Sequence, residues 1–164
     1  MSYKSDASKD RLREIFCLAE AGRASSSPLD TDSAIGYYLS FMMEPMGAGY
    51  AFVIFLDRRR RVVTTIKVKD AGFMTSSTVA EAIDRALTDK RIVYFILAHN
   101  HFGNPTTPSF TDLYTTRLLY RKYSGTDTTF LGHYIISDLD YTVITDRGQV
   151  NHTYSSKFGG SDNK

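Results

Sequence analysis

The chain has 164 residues, of which 42% are hydrophobic, and this size suits one domain with a substantial core. The formal net charge of +2 gives no strong indication of binding to nucleic acid, and Cys17, the single cysteine, excludes an internal disulfide and fits a reducing compartment. There is no apolar run as long as a membrane span and no apolar signal region at the start, so we expect a cytoplasmic protein without membrane association.

The predicted secondary structure alternates between helices and strands. Helices are predicted where apolar residues recur every three or four positions, and strands where short apolar runs lie between turn residues. In chain order we predict a helix over 10–21, a loop over 24–30, a helix over 31–43 capped by Thr31 or Asp32, strands over 50–57 and 62–69, a helix from 76 or 77 to 88, a strand over 92–98, a helix over 110–123, and a closing hairpin over 129–137 and 141–145. This order predicts an α/β fold with one mixed β-sheet and helices on its faces.

The composition predicts three segments. Residues 1–29 form an N-terminal helix and a linker-like loop, and residues 30–148 form the main domain. Residues 149–164, which include His152, are polar and rich in Ser and Gly, and we expect this tail to be largely disordered.

Four consecutive arginines, Arg58 to Arg61, join the first two predicted strands. Such a cluster could contact the phosphates of DNA, and each arginine would then add to a salt-sensitive affinity. A charged hairpin tip is also the ordinary way to keep a turn soluble, and the pattern favours this second interpretation.

The most informative segment begins at the end of the apolar strand predicted over 92–98. His99 and His101 follow it two residues apart, so both imidazoles point to the same side of the sheet. A loop containing Gly103, Pro105 and Pro108 then leads to Asp112, just inside the next predicted helix. Two imidazoles, one carboxylate and an open fourth position make up the ligand set of a catalytic zinc site.

A structural interpretation of the same residues is also open. Ser109 followed three residues later by Asp112 resembles a capping box, in which the two side chains bind the free amides at the start of a helix. On that interpretation Asp112 is structural, and the two histidines are polar residues leaving a strand. A capping box prefers Glu or Gln at this place, and it accounts for neither histidine.

The spacing of these residues resembles a known family. His99-x-His101, then seven residues, Ser109, two residues and Asp112 match the JAMM signature of the MPN/JAB metalloprotease superfamily. The residues around this motif resemble those of the RadC branch, and the segments 52–57 and 131–138 resemble the family's early and closing strands. The resemblance covers about residues 30–146 and implies a single MPN/JAB domain with a cytidine-deaminase-like arrangement.

The resemblance also implies roles for the motif residues. His99, His101 and Asp112 would hold one Zn²⁺ per chain, and Ser109 would hydrogen-bond a transition-state oxygen. A glutamate from an earlier segment would take a proton from the metal-bound water. The family carries this glutamate close to where Gly47 stands here, so Glu44, set farther back, is the nearest candidate.

Glu44 also has a structural interpretation, and a second glutamate is a weaker candidate for the general base. Pro45 disfavours helical geometry in the residue before it, so Glu44 could simply end a helix. Glu81 is a weaker substitute, because its predicted helix lies beside the metal strand but carries no motif. His133, in the closing strand, is interpreted as a packed core residue rather than a fourth ligand.

Three functional classes follow from these observations. The first is a zinc-dependent hydrolase that cleaves amide or isopeptide bonds of a protein or peptide substrate with a metal-activated water. The second is a metal-binding but inactive interaction module, and the third is a DNA-repair-associated factor, as the resembled family is labelled. The sequence names neither the substrate nor the oligomeric state.

Overall fold

A computed structural model gives the structure of the chain and describes residues 22, 26–43, 49–69, 76–101, 105–138 and 140–154. Within these residues the elements are α1 (Asp32–Met43), β1 (Tyr50–Leu56), β2 (Val62–Lys69), α2 (Ser76–Ala86), β3 (Tyr94–Asn100), α3 (Phe110–Tyr123), β4 (Thr129–Ile136), β5 (Asp140–Thr145) and β6 (Gly148–Thr153). No helix in this part of the chain combines the length and the apolar character that crossing a membrane requires.

The strands form one six-stranded sheet in the order β2-β1-β3-β4-β5-β6. The central pair β3–β4 is parallel, and the other four pairs are antiparallel. A parallel pair needs a crossover connection, and α3 supplies it. The predicted mixed sheet with helices on its faces is confirmed.

Each face of the sheet carries its own apolar core, because successive side chains of a strand point to opposite faces. Ile96 and Ala98 of β3 pack on the side of α1, in a cluster that also contains Leu39. Phe95 and Leu97 pack on the other side, in a cluster that includes residues of α2 and α3. His99 continues this second series, so its ring is directed toward the helices α2 and α3.

The predicted boundaries differ from the observed ones at a few positions. The helix predicted over 31–43 begins at Asp32, and the Oγ1 of Thr31 accepts a hydrogen bond of 3.1 Å from the amide of Ala34, as expected of a cap. The apolar strand starts two residues later than predicted, because the amide of Ile92 is engaged in a turn with the carbonyl of Asp89. The strand also ends two residues later than predicted, at Asn100, and so includes His99.

The N-terminal segment is described only in part. The helix predicted over 10–21 lies outside the described residues. The linker-like loop ends on Leu29, which is buried in the α1-side core and donates its amide hydrogen to the carbonyl of Arg60 at 2.9 Å. The end of this loop is therefore fastened to the domain.

The expectation of a disordered tail from residue 149 is wrong for its first five residues. β6 pairs with β5 over its whole length, so the backbone of Gly148–Thr153 gains a ladder of hydrogen bonds. The ring of His152 also stacks on Tyr141 at 4.9 Å between centroids. Residues 155–164 lie outside the described residues.

The arginine-rich turn lies at the far end of the sheet from His99. In the pairing of β1 with β3, Leu56 is opposite Tyr94, whereas Ala51 is opposite His99. The guanidinium of Arg60 lies 3.8 Å from the centroid of the Tyr94 ring. The turn is therefore remote from the histidine motif.

Candidate metal centre

His99 stands in the middle of the sheet at the carboxyl end of β3. Its backbone pairs with Ala51 of β1 on one side and Ile135 of β4 on the other, and its side chain is buried. The Nε2 of His99 lies 2.8 Å from the Nε2 of His101. The structure therefore brings the two histidines of the motif into direct contact.

Asp112 approaches the same point from the first turn of α3. Its Oδ1 lies 3.4 Å from the Nε2 of His99, and its Oδ2 lies 4.0 Å from the Nε2 of His101. The N-terminus of a helix carries a partial positive charge that favours a carboxylate there. Three potential donor groups thus converge at the junction of β3 and α3.

The capping box also exists. Ser109 is the N-cap of α3, with its Oγ accepting from the amide of Asp112 at 3.1 Å, and the Oδ2 of Asp112 accepting from the amide of Ser109 at 2.7 Å. Asp112 therefore caps the helix and faces the histidines at once, so the structural and metal interpretations are not exclusive. Because Ser109 accepts in this cap, its own O–H proton remains able to donate to another oxygen.

His101 is oriented by the loop that follows it. Its Nδ1 lies 3.0 Å from the carbonyl oxygen of Pro105. A carbonyl only accepts, so the proton of a neutral His101 is on Nδ1 and its Nε2 lone pair faces His99. Thr106, which follows Pro105, is buried and forms hydrogen bonds of 3.2 Å with Asp140 and 3.1 Å with Asn151.

His133 of β4 contacts the site from behind. Its side chain is fully buried, as the sequence analysis expects, and its Nε2 lies 2.7 Å from the Nδ1 of His99. The Nδ1 of His133 lies 2.8 Å from the Oγ1 of Thr116, and that hydroxyl lies 2.7 Å from the carbonyl oxygen of Asp112. Both nitrogens of His133 therefore have polar partners.

The environment keeps the buried histidines neutral. Burial lowers the pKa of His99 to about 4, although the charge of Asp112 opposes this shift. Burial, and next the proximity of His99, lower the pKa of His133 well below its ordinary value. Burial pushes the pKa of Asp112 upward, but the electrostatic interaction with the neighbouring His99 and the hydrogen bonds with Ser109 outweigh it, so this pKa is lowered. Neutral imidazoles and an ionised carboxylate are the forms that bind a metal.

The donor set fits a divalent metal ion. His99, Asp112 and His133 form a group in which one ligand atom of each lies within 4.8 Å of the others, so this His–His–Asp group could bind an ion. The set with His101 in place of His133 also fits: tetrahedral zinc with bonds of about 2.0–2.2 Å needs donors roughly 3.3–3.6 Å apart. The separations of 2.8, 3.4 and 4.0 Å in that set bracket this value. The two sets share His99 and Asp112 and differ in the second histidine.

The predicted general base is not described at this site. Glu44 lies outside the described residues. Glu81, the weaker substitute, is on α2 and is exposed to solvent. The role of Glu44 therefore stays a prediction.

Sequence reasoning missed the contact of His133 with His99 and the participation of Thr116. Two signals could have found them. A histidine inside an apolar strand needs a buried partner, because buried polar groups are almost always hydrogen-bonded. Thr116 is four residues after Asp112 and so lies on the same face of the helix.

Comparisons with known proteins place the chain among its relatives. The family model described as "RadC-like JAB domain" matches residues 29–149. A UPF0758 protein of Photobacterium profundum is 31% identical over 114 residues, which are 68% of this chain and 50% of the relative. One of Vibrio vulnificus is 30% identical over 133 residues, which are 80% of this chain and 57% of the relative.

A third relative shows a similar share of matched residues. A UPF0758 protein of Cupriavidus pinatubonensis is 25% identical over 124 residues, which are 76% of this chain and 54% of the relative. The chain thus spans about half the length of the curated relatives it matches. The match of the family model over most of the chain, together with the histidine and aspartate geometry at the end of β3, identifies the resemblance to the RadC branch as a true relationship: the chain belongs to the RadC-like JAB domain family.

Proposed function

We propose that the chain is a zinc-dependent hydrolase that cleaves an amide or isopeptide bond in a protein or peptide substrate. The observation that supports this most directly is the convergence of the Nε2 atoms of His99 and His101 with the carboxylate of Asp112. When bound, zinc supplies Lewis acidity and makes water a nucleophile near neutral pH. Nitrogen and oxygen donors also accept other divalent ions, so the choice of zinc rests on the ligand set.

The residues of the chain would divide the remaining work. His99, His101 and Asp112 would hold the ion, and a set of three protein ligands would leave a further position for substrate or water. The hydroxyl of Ser109 accepts from the amide of Asp112, and its O–H proton would be donated to the substrate's carbonyl oxygen as negative charge develops there. Glu44 would take the proton from the attacking water and deliver it to the leaving amine.

The experiment is a chelator-sensitive hydrolysis assay with internally quenched peptides and isopeptide-linked substrates. We expect cleavage that a chelator removes and added zinc restores, and we expect Glu44→Gln to abolish it without loss of bound metal. Glu81→Gln is the comparison variant, since Glu81 is the weaker candidate on α2: its rate stays unchanged if Glu44 is the base, and a loss of rate there would assign the base to Glu81. Equal rates in Glu44→Gln and the unaltered protein would remove Glu44 from the mechanism.

The two alternative classes predict different results. An inactive binding module would hold zinc and cleave nothing under the same conditions. A DNA-associated factor would bind DNA with an affinity that falls steeply with salt and with loss of Arg58 to Arg61. Because the arginine turn lies at the far end of the sheet from His99, replacing these arginines leaves zinc binding unchanged in all three classes.

A further inference from the structure

Four side chains form a continuous chain of hydrogen-bond contacts that starts in the core behind the candidate metal centre and ends at the half-buried His101. The Oγ1 of Thr116 contacts the Nδ1 of His133, the Nε2 of His133 contacts the Nδ1 of His99, and the Nε2 of His99 contacts the Nε2 of His101. We call these four residues the relay. One end is fixed, because His101 donates from its Nδ1 to the carbonyl of Pro105.

Two proton arrangements satisfy these contacts with every imidazole neutral. In the first, which we call the closed order, the Thr116 hydroxyl donates to His133, His133 donates from Nε2 to His99, and His99 donates from Nε2 to His101. In the second, the ligand order, His99 donates from Nδ1 to His133, His133 donates from Nδ1 to Thr116, and the Thr116 hydroxyl donates to the carbonyl of Asp112. Thr116 permits both, because its oxygen lies 2.8 Å from His133 and 2.7 Å from that carbonyl.

The two orders differ at the metal end of the relay. In the ligand order the Nε2 atoms of His99 and His101 both carry lone pairs and lie only 2.8 Å apart, which is repulsive unless a cation lies against them. In the closed order the same contact is a hydrogen bond. We propose that the metal-free protein adopts the closed order, and that metal binding reverses the relay to the ligand order.

The reversal makes His133 a positioning residue for the proposed site. In the ligand order the Nδ1 of His99 carries a proton and donates it to the Nε2 of His133. Neither of these two nitrogens can then bind a metal ion. The ion is therefore bound by the set that contains His101 and not by the set that contains His133. The second ring nitrogen of a metal-bound histidine is ordinarily held in this way by a hydrogen-bond acceptor.

Nuclear magnetic resonance of the imidazole nitrogens measures directly which ring nitrogen carries the proton in each of the four histidines of the full chain. We expect the ring proton of His133 to be on Nε2 without metal and on Nδ1 after addition of one equivalent of Zn²⁺. The ring proton of His99 moves from Nε2 to Nδ1, and that of His101 stays on Nδ1. A purely structural His133 would keep one proton position throughout.

The matched control is Asp112→Asn, which keeps an oxygen to accept from the amide of Ser109 but removes the charge of the proposed ligand. With added Zn²⁺ this variant retains the closed order. An unchanged proton position on His133 while zinc is bound to the unaltered protein would overturn the reversal alone. Failure of zinc to bind at all would overturn the proposed metal site on which the reversal rests, so the two failures are distinguishable.

Discussion

Asn151 and Thr106 lie 45 positions apart in the chain, and the Nδ2 of Asn151 donates a hydrogen bond of 3.1 Å to the Oγ1 of Thr106. The same amide donates to Asp140 at 2.9 Å and to Thr142 at 3.1 Å. These contacts connect β6 to Thr106. The residue before Thr106 is Pro105, whose carbonyl oxygen lies 3.0 Å from the Nδ1 of His101. The last described strand is therefore part of the support of the candidate metal centre.

Replacing Asn151 by alanine should weaken zinc binding although Asn151 is no ligand. The variant loses the contact of its amide with Thr106, the residue after Pro105, and the contacts with Asp140 and Thr142 of β5, so His101 is held less firmly. We expect a loss of affinity of about tenfold, the lower end of what outer-shell changes cost. A zinc titration measures it, and Val150→Ala is the control, because Val150 is 57% exposed on the same strand. An affinity of Asn151→Ala equal to that of Val150→Ala would contradict this account.

The two roles of Asp112 can be separated by a pair of substitutions. Asp112→Asn keeps an acceptor for the amide of Ser109 and should retain most of the stability, whereas Asp112→Ala loses that one bond of the capping box and about 1 kcal/mol of unfolding free energy. Both variants should lose zinc, because both remove the carboxylate. Chemical denaturation and metal analysis of the two proteins check these expectations. Zinc bound as tightly in Asp112→Asn as in the unaltered protein would show that the carboxylate serves the cap alone.

Thr116 should matter to folding stability through its hydroxyl. Thr116→Val leaves the buried Nδ1 of His133 without a partner in either proton order, and a buried unpaired polar group costs roughly 1–3 kcal/mol. Thr116→Ser restores the hydroxyl and should recover most of this loss in denaturant titrations. Thr115→Val, at a buried threonine one residue away, is the matched control. If Thr115→Val and Thr116→Val are equally stable, the hydroxyl of Thr116 has no special role.

His133 should affect metal affinity in a manner that depends on its polarity. His133→Leu removes the acceptor for the Nδ1 proton of His99, and we expect zinc binding to weaken about 10- to 100-fold. His133→Gln places an amide oxygen near the former Nε2 and should recover part of the affinity. Competition with a chelating indicator measures both constants. Equal affinities of the leucine and glutamine variants would mean that His133 acts only by filling space.

Much of the fold follows from local sequence patterns. The helix predicted over 110–123 has the observed bounds, because Ser109 and Asp112 mark its start clearly. The central strand is recognisable because it is apolar, short and rich in β-branched and aromatic residues. Its predicted start is two residues too early, because Ile92 is apolar but belongs to a turn. Hydrophobicity alone does not distinguish these two environments.

The missed features depend on partners far away in the chain. β6 has the sequence Gly148-Gln149-Val150-Asn151-His152-Thr153, which is polar and mostly exposed, and it exists as a strand because β5 offers a free edge. The contacts of His133 with His99 and Thr116 span 34 and 17 positions, so no local spacing pairs these residues directly. Only the parallel pairing of β3 with β4 brings these rings together.

The most direct test of the metal centre is the zinc content of the full chain purified without a nickel column, together with His101→Ala and Asp112→Ala. We predict about one zinc per chain in the unaltered protein, which is the content of one ligand set, and a loss of that zinc in both variants. Absence of zinc from the unaltered protein, even after incubation with Zn²⁺, would contradict the account and favour an interaction module on the same scaffold.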